Sequence, residues 1–364
     1  MIKSIKKYDE YYSHMLRIFN PYATFPYRIH PSLPKFDIIA YNNNPKYQFV
    51  YDKLFIATSQ SMTAGTLNDT TQATYPIFIK PRYGHKTSSS KNCYKIASPE
   101  ELKPFLKKKE MMWSEFVDSK ESMTDFFLIN GEIVYQITYI YSEKQNGFAD
   151  DWKFISPDNE PPQEIVEWVN RYMIGYTGPV NVQYRSTKII EVGLRFARSG
   201  MYLESTHNKK LISTINHAWE KGEWKYKNEE DLRFKPFYSF KCWSAFPILC
   251  LIPQHLIDMI MHYNECMSFY EYYFEPTGKR SIIFFQFLHE DFKQGMKTKK
   301  WIERFMYLLS FVIFSLILVS IYLFIMKKNY TYVIYILTIF FILGLDNSLE
   351  VLCNQITHQK QFIF

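Results

Sequence analysis

The feature that most constrains this chain is an uninterrupted apolar run near its C-terminus, FMYLLSFVIFSLILVSIYLFIM, from Phe305 to Met326. The run contains no charged residue. As an α-helix of about 22 residues, rising 1.5 Å per residue, it is long enough for a bilayer core of about 30 Å. We therefore predict a transmembrane helix here. The alternative is a buried core hairpin in a soluble protein.

A second apolar run, YVIYILTIFFILGL, extends from Tyr332 to Leu345. It has only about 14 residues, which is short for a full crossing. We favour a second span, and a re-entrant segment is the alternative. Basic residues before the first run outnumber those in the short loop after it, so the positive-inside rule places the long N-terminal part in the cytosol. The sequence thus predicts a multi-pass membrane protein; the residues compared are Lys293, Lys297, Lys299, Lys300 and Arg304 against Lys327 and Lys328.

Charge and cysteine content exclude some functions. The net charge is +7 over 364 residues, but no zinc-finger or recognition-helix pattern accompanies the basic residues, so nucleic-acid binding is not expected. No CxxC pair is present, and the number of cysteines is odd, which favours reduced thiols in a reducing compartment. The cysteines are Cys93, Cys242, Cys250, Cys266 and Cys353.

The remaining sequence predicts an α+β fold with antiparallel sheets. Strands are indicated at PIFIK and CYKI, and an NG turn divides the long strand pair TDFFLINGEIVYQITYIY. Ser98 followed by Pro99 is typical of a helix start. A short strand is predicted at FDIIAY, residues 36–41. The predicted divisions are a truncated N-terminal region (1–49), a core (50–204), a C-terminal completion of the soluble part (205–300), a transmembrane hairpin (301–350) and a tail (351–364).

A basic, hydroxyl-rich loop follows the strand PIFIK, which ends at Lys80. Such a loop can place backbone N–H groups and ammonium groups over a polyphosphate. A solvated hairpin loop has the same composition and is the alternative. The candidate phosphate ligands are Lys80, Lys86, Ser88 and Ser89.

The segment WSEFVDSKESMTDFF could present polar groups to an adenine edge through Glu115 and Val117. Glu121 and Asp125 follow, four residues apart. An ordinary surface strand is the alternative.

The hairpin NVQYRSTKIIEVGLRFARSG brings together oxygen donors and a guanidinium group. A three-residue loop, Ser186–Lys188, would place Gln183 opposite Glu191 on the same face. An amide oxygen beside a carboxylate suits Mg²⁺, and Arg195 suits a phosphate. An ordinary cross-strand polar pair is the alternative. Gly193 stands where such a site would carry another oxygen ligand.

Taken together and in order, these segments resemble the ATP-grasp superfamily, in the style of carbamoyl-phosphate-synthase-like domains and carboxylate–amine ligases. YDKLFIATSQ is similar to its DK helix, PIFIKPRYGHKTSSS to its phosphate strand and loop, and SEFV to its hinge. ESMTDFFLINGEIV is similar to its E-x-x-x-D strand, and the hairpin to its metal-binding hairpin. The resemblance covers about Val50 to Leu203, under half of the chain.

The resemblance implies a two-lobe ATP-grasp fold, ATP and Mg²⁺ as cofactors, and activation of a carboxylate as an acyl phosphate for attack by an amine. It assigns phosphate contacts to Lys53, Lys80, Lys86, Ser88 and Ser89, adenine contacts to Glu115 and Val117, and a ribose contact to Glu121. Gln183 and Glu191 would hold Mg²⁺, and Arg195 would contact the phosphate or the acyl phosphate as the catalytic residue.

The chain departs from the family pattern in three places. The family's metal-binding Asn is Gly193, the phosphate loop has one glycine, Gly84, and the N-terminal lobe is truncated. Two hypotheses therefore stand. One is a membrane-anchored ligase with ATP, carboxylate and amine substrates and a lipid bilayer as partners. The other is a catalytically degenerate ATP-grasp module at a membrane.

Overall fold

The computed structural model describes residues 26–86, 92–145, 149–226, 228–244, 254–267, 275–277 and 281–327. The chain divides into two compact units. We call Phe25–Lys144 with Lys153–Pro236 the core unit, and Gln145–Trp152 with Met1–Thr24 and Phe237–Phe364 the second unit.

The core unit contains short helices around two sheets. Asp52 starts α2 by accepting a hydrogen bond from the Leu54 N–H. Ser98 starts α3, as the sequence predicted, by accepting a hydrogen bond from the Glu101 N–H. The helices are α1 (Asp37–Asn43), α2 (Lys53–Ser59), α3 (Pro99–Leu102), α4 (Gln163–Tyr172), α5 (Met201–Glu204) and α6 (Lys209–Lys221), with 3₁₀ turns at Pro45–Tyr51, Gly84–Lys86, Lys103–Phe105, Ala197–Gly200 and Glu229–Leu232.

The smaller sheet of the core unit has the strand order β1–β4–β2–β3 and is antiparallel. Its strands are β1 (Ala64–Thr66), β2 (Ile77–Pro81), β3 (Tyr94–Ile96) and β4 (Met111–Glu115). One face buries Ile77, Ile79 and Trp113 against α3. This packing fixes Lys80 near the end of β2.

The larger sheet of the core unit has the order β11–β10–β5–β6–β9, again antiparallel. Asn130 and Gly131, both with positive φ, form the predicted turn between β5 and β6. The antiparallel α+β prediction is therefore confirmed. The strands are β5 (Glu121–Ile129), β6 (Glu132–Tyr141), β9 (Trp152–Ser156), β10 (Gly178–Arg185) and β11 (Lys188–Gly193). A two-stranded ladder joins β7 (Lys144–Gln145) to β8 (Ala149–Asp150).

The period-two alternation of the larger sheet divides its side chains between two faces. Phe126, Val180, Val182 and Val192 pack on one face in a hydrophobic cluster with Trp168 of α4. The opposite face therefore receives the polar side chains of β5, β10 and β11. These are Glu121, Asp125, Asn181, Gln183, Arg185 and Glu191.

The second unit pairs β12 (Phe237–Ser244), β14 (Ser281–His289) and β13 (Glu275–Thr277) in that order. Phe240, Phe287, Ile260 and Ile302 form its cluster, joining the sheet to α7 (Gln254–Tyr263) and α8 (Phe292–Lys327).

The predicted strand at residues 36–41 and the predicted transmembrane hairpin are not supported by the structure. Residues 36–41 do not form a strand: Asp37–Asn43 is helical, and Ala40 is buried while Ile38, which would share its face in a strand, is 48% exposed. The first predicted membrane span lies within α8, and among the described residues no helix combines the length and apolarity required to cross a bilayer. The transmembrane hairpin is thus not supported. The second predicted span, Tyr332–Leu345, lies outside the described residues.

Candidate nucleotide and metal site

Two lysines from separate elements meet the edge strand β11. The Lys53 Nζ lies 3.2 Å from Glu191 Oε2, with the Lys53 side chain only 7% exposed. The Lys80 Nζ donates a hydrogen bond of 2.8 Å to the carbonyl oxygen of Ile190. Two buried cations therefore flank one carboxylate, an arrangement that attracts a polyphosphate.

Burial disfavours the charged form of Lys80. Burial first, and then the neighbouring Lys53 ammonium, lower the pKa of Lys80 to about 8, while Glu191 acts in the opposite direction. Lys80 is therefore mostly protonated at pH 7. An anion that replaced the missing hydration would strengthen that charged form.

The hairpin β10–β11 places Gln183 opposite Glu191, as predicted. The predicted three-residue loop is wrong, however, because Arg185 pairs with Lys188 and only two residues, Ser186 and Thr187, form the turn. A β-bulge beside Gln183 restores the register by adding a residue to β11. The amide and the carboxylate consequently share a face.

Arg195 follows the hairpin and pairs with a residue that the sequence did not indicate. Its Nη2 lies 2.7 Å from Oδ2 of Asp37, and both side chains are mostly buried. Its Nη1 also donates to the Phe196 carbonyl at 3.1 Å. Burial lowers the pKa of Arg195, but Asp37 outweighs it and the pKa stays above its ordinary value. Arg195 is thus a fixed cation.

Asp125 anchors the segment that carries Arg195. Its carboxylate accepts hydrogen bonds from the Tyr139 hydroxyl at 2.7 Å, the Asn181 amide at 2.7 Å and the Ala197 N–H at 3.0 Å. Burial raises its pKa to about 6 although these donors act in the opposite direction. The sequence indicated Asp125 only through its spacing from Glu121. Its role here is to hold neighbouring elements together.

His85 lies between the phosphate-loop segment and the N-terminal helix. Its ring stacks on Tyr41 with centroids 3.7 Å apart and meets Tyr51 edge-on at 5.7 Å. The Nδ1 atom is buried without a hydrogen-bond partner. Burial, followed by Lys86, lowers the pKa of His85, so the ring is neutral at neutral pH.

The other predicted ligands lie in different surroundings. The Lys86 Nζ, half exposed, lies 2.6 Å from Glu110. Glu121 is buried, and Arg185 lies 3.4 Å away. Glu115 ends β4 half-buried, while Val117 packs beside Met112 and Leu54. Ser88 and Ser89 lie outside the described residues. The structure therefore brings Lys53 and Lys80 to the strand that bears Glu191, opposite Gln183, while the Lys86 ammonium pairs with Glu110.

Mg²⁺ requires hard oxygen donors, and the hairpin offers two of them. Among the described residues no group of three or more His, Cys, Asp or Glu side chains is close enough to hold a metal ion. Gln183 and Glu191 supply an amide oxygen and a carboxylate, and a Cβ added at Gly193 would lie 2.7 Å from Asp37 Oδ1. Mg²⁺ is held by one or two carboxylates with substrate phosphates and waters completing its shell. The residues fit that requirement.

A separate cavity of about 500 Å³ opens on the other face of the larger sheet. It is lined by hydroxyl groups and charged residues and does not include the lysine pair. Its lining includes Lys120, Ser122, Thr138, Asp158, Glu160 and Tyr184.

No protein-family model and no curated protein matches the sequence. Solved structures do resemble the fold. L-amino acid ligase from Bacillus licheniformis is 15% identical over 71% of each chain, with a TM-score of 0.47. Carboxyaminoimidazole ribonucleotide synthase from Aspergillus clavatus, complexed with ATP, is 12% identical over 72% of this chain and 77% of its own, with a TM-score of 0.49. Phosphoribosylamine–glycine ligase from Thermotoga maritima is 12% identical over 70% and 75%, with a TM-score of 0.47.

Proposed function

We propose that the core unit is an ATP-grasp domain that binds ATP with Mg²⁺ and ligates a carboxylate to an amine. The observation that carries the proposal is the meeting of Lys53 and Lys80 at the strand that bears Glu191, with Gln183 opposite. These residues come from α2, β2 and the β10–β11 hairpin, and Lys53 and Glu191 are separated by about 140 residues of chain. A solvated surface pair would not bury its lysines in this way.

The proposed reaction has two steps. A carboxylate oxygen of the substrate forms a bond to the γ-phosphorus of ATP, and the bond from that phosphorus to ADP breaks. The amine nitrogen then bonds to the acyl carbon, inorganic phosphate leaves, and the amine loses a proton. Phosphoryl transfer depends mainly on positioning and charge neutralisation. Lys53 and Lys80 would neutralise the phosphates, and Arg195 would contact the transferred phosphate or the acyl phosphate.

Gln183 and Glu191 would hold the metal. When bound, Mg²⁺ draws together the phosphate oxygens and offsets their negative charge. The chain's own contribution is to fix those two donors on one face of the sheet. The roles of Glu115, Val117 and Glu121 toward the adenosine part, and of Lys86, Ser88 and Ser89 over the phosphates, remain proposals from the resemblance.

The binding test uses the full chain and a fluorescent ATP analogue, titrated with Mg²⁺ and again with EDTA. Lys80→Met should weaken binding at least about tenfold, because it removes a buried cation from the phosphates. Lys107→Met, an exposed lysine outside the cluster, is the matched control. Equal affinity in Lys80→Met and the wild type would contradict the proposal. ADP release with mixtures of carboxylates and amines, lost in Glu191→Gln, tests the ligase step.

The second candidate is a nucleotide-binding module without turnover. It is favoured by Gly193, which removes one oxygen ligand of the family pattern, and by the pairing of Arg195 with Asp37. Metal-dependent ATP binding without ADP release for any substrate pair would support it. ADP release that depends on Glu191 would exclude it.

We also propose that α8 attaches the chain to a lipid bilayer. Its second half exposes large apolar side chains, and basic residues precede them, which matches a hydrocarbon layer beneath anionic headgroups. The exposed residues include Leu308, Phe311, Val312, Leu316, Leu318, Val319, Ile321 and Ile325. A cytosolic location of the core unit, facing that bilayer, is part of this proposal.

Bilayer attachment can be measured by co-flotation of the full chain with vesicles containing phosphatidylserine. Replacing Leu316 and Val319 together with lysine should reduce the floated fraction severalfold. Replacing the exposed, neutral Gln163 and Ser213 with lysine adds the same charge outside α8 and is the control for charge alone. Unchanged flotation of the apolar-face variant would contradict the proposal.

A further inference from the structure

The carboxylate of Asp37 lies beside Gly193, at the position where the family pattern has a metal-binding Asn side chain. Gly193 pairs with Asn181 in the β10–β11 ladder and lies two residues after Glu191, so both point to the same face. A Cβ built on Gly193 would lie 2.7 Å from Oδ1 of Asp37, closer than real Cβ atoms approach other atoms. A side chain at position 193 would therefore require the Asp37 carboxylate to shift from its present position.

Asp37 is held at this position from several directions. Its Oδ2 accepts from Arg195 at 2.7 Å. The hydroxyl of Ser199 donates to the carbonyl of Lys35 at 2.9 Å, and the amide of Gln48 donates to the carbonyl of Tyr41 at 3.1 Å. These contacts tie both ends of the α1 segment to the core unit. These contacts therefore hold the Asp37 carboxylate next to the hairpin.

The two oxygens of the Asp37 carboxylate face different groups. Oδ2 serves Arg195, while Oδ1 is turned toward Gly193. Since Glu191 precedes Gly193 on the same face and Gln183 lies opposite Glu191, Oδ1 adds a second carboxylate oxygen to this side of the hairpin. A hard cation prefers such oxygens, and a divalent one is best matched by two carboxylates.

We infer that Asp37 replaces the side chain missing at Gly193 and serves as a third protein oxygen ligand for Mg²⁺, with Gln183 and Glu191. The inference rests on the proposed function of this site. The ligand is supplied by the N-terminal helix, about 150 residues before the hairpin. By binding Oδ2 so that Oδ1 faces Gly193, Arg195 would also position this ligand, in addition to the phosphate contact proposed for it.

The experiment measures Mn²⁺ binding by electron paramagnetic resonance in the full chain, with a non-hydrolysable ATP analogue present. Asp37→Ala should weaken Mn²⁺ binding by about tenfold or more, since it removes a charged ligand. Gly193→Asn alone should also weaken it, because the new side chain collides with Asp37. The double variant D37A/G193N should recover most of the wild-type affinity, as the Asn then supplies the oxygen from the strand. Asp158→Ala, which also removes an Asp–Arg pair, is the control.

Recovery in the double variant, with no change in Asp158→Ala, supports the inference. Unchanged Mn²⁺ affinity in Asp37→Ala, or failure of a folded double variant to recover, overturns it and leaves the proposed function standing. If the wild type binds neither Mn²⁺ nor the analogue, both fail. Circular-dichroism melting checks folding; should the double variant not fold, Gly193→Ala places a methyl group against Oδ1 and must weaken Mn²⁺ binding, and its failure to do so overturns the inference.

Discussion

The side chain of Gln60 forms two hydrogen bonds with the backbone of Ile189. Its amide nitrogen donates to the Ile189 carbonyl at 2.6 Å, and its carbonyl oxygen accepts from the Ile189 N–H at 2.8 Å. β11 is the edge strand of the larger sheet within the core unit. Gln60 therefore satisfies the backbone of Ile189 as a neighbouring strand would. Ile189 lies two residues before Glu191.

Replacing Gln60 with alanine should destabilise the protein by about 1–3 kcal/mol, because it leaves two backbone groups of β11 without this partner. It should also weaken Mn²⁺ binding, since Glu191 lies on the loosened strand. Urea unfolding measures the first effect and paramagnetic resonance the second. Gln163→Ala, at an exposed helix position, should change neither. A loss of stability with unaltered metal affinity would show that the edge contact does not position Glu191.

The nucleotide affinity should fall as the pH rises above about 8. The pKa of Lys80 is lowered to about 8, first by burial, so the uncomplexed protein loses this ammonium group above that pH. Because the bound phosphates favour the charged form, the dissociation constant should increase by about tenfold per pH unit until the complex itself titrates. Lys80→Arg, which stays charged, should give a flat profile. Parallel profiles for the two proteins would contradict the assignment.

Asp125 should make the protein less stable as the pH rises from about 4 to 6. Its pKa is raised to about 6 in the folded protein, mainly by burial, whereas the unfolded chain releases that proton near the ordinary value of 3.8. The folded state therefore binds more protons in this window, and its free energy of unfolding falls as the pH increases, by about 1–3 kcal/mol for this group. Asp125→Asn should lack this component. Chemical unfolding at several pH values gives the difference curve, which should slope downward; a level difference curve would show that Asp125 does not titrate there.

Gly131 should tolerate alanine much less well than Gly222. Both have positive φ, but a Cβ at Gly131 would lie 2.7 Å from the backbone nitrogen of Gly175, while nothing lies within 4 Å at Gly222. Gly222→Ala should cost about 1 kcal/mol from backbone strain alone. Gly131→Ala should cost at least about 1–2 kcal/mol more, because backbone atoms must move. Thermal unfolding compares the two, and equal costs would mean that the β5–β6 turn yields easily.

The sequence predicted best where local patterns determine the structure. Alternation and the NG turn gave β5 and β6, and the pairing of Gln183 with Glu191 is confirmed. That pairing survived a wrong loop length only because a bulge beside Gln183 compensates for the two-residue turn. Turn length and bulges are coupled through the ladder, and short sequence patterns do not reveal how the two combine.

Long-range partners could not be predicted in the same way. Asp37 lies in a segment that the sequence favoured as a strand, and its contact with Arg195 spans 158 residues. Nor did any pattern indicate that Gln60 would pair with Ile189. The sequence showed that position 193 is a glycine and has no ligand side chain. It could not show that Asp37 lies beside this glycine, because that contact depends on the packing of α1 against the hairpin. The roles assigned to Glu115, Val117 and Glu121 stay predictions.

The ion pair between Lys53 and Glu191 has a consequence for the order in which ligands enter. Each member of the pair is the natural partner of a different ligand: the ammonium of a phosphate, the carboxylate of a divalent cation. Under the proposed function, a phosphate that binds the Lys53 ammonium alone would leave the Glu191 carboxylate without its partner, and a cation that binds Glu191 alone would leave the buried Lys53 ammonium without its partner. If both ligands bind together, each charge of the ion pair gains a new partner, so we expect the proposed site to bind Mg²⁺ and phosphate together more readily than either one alone.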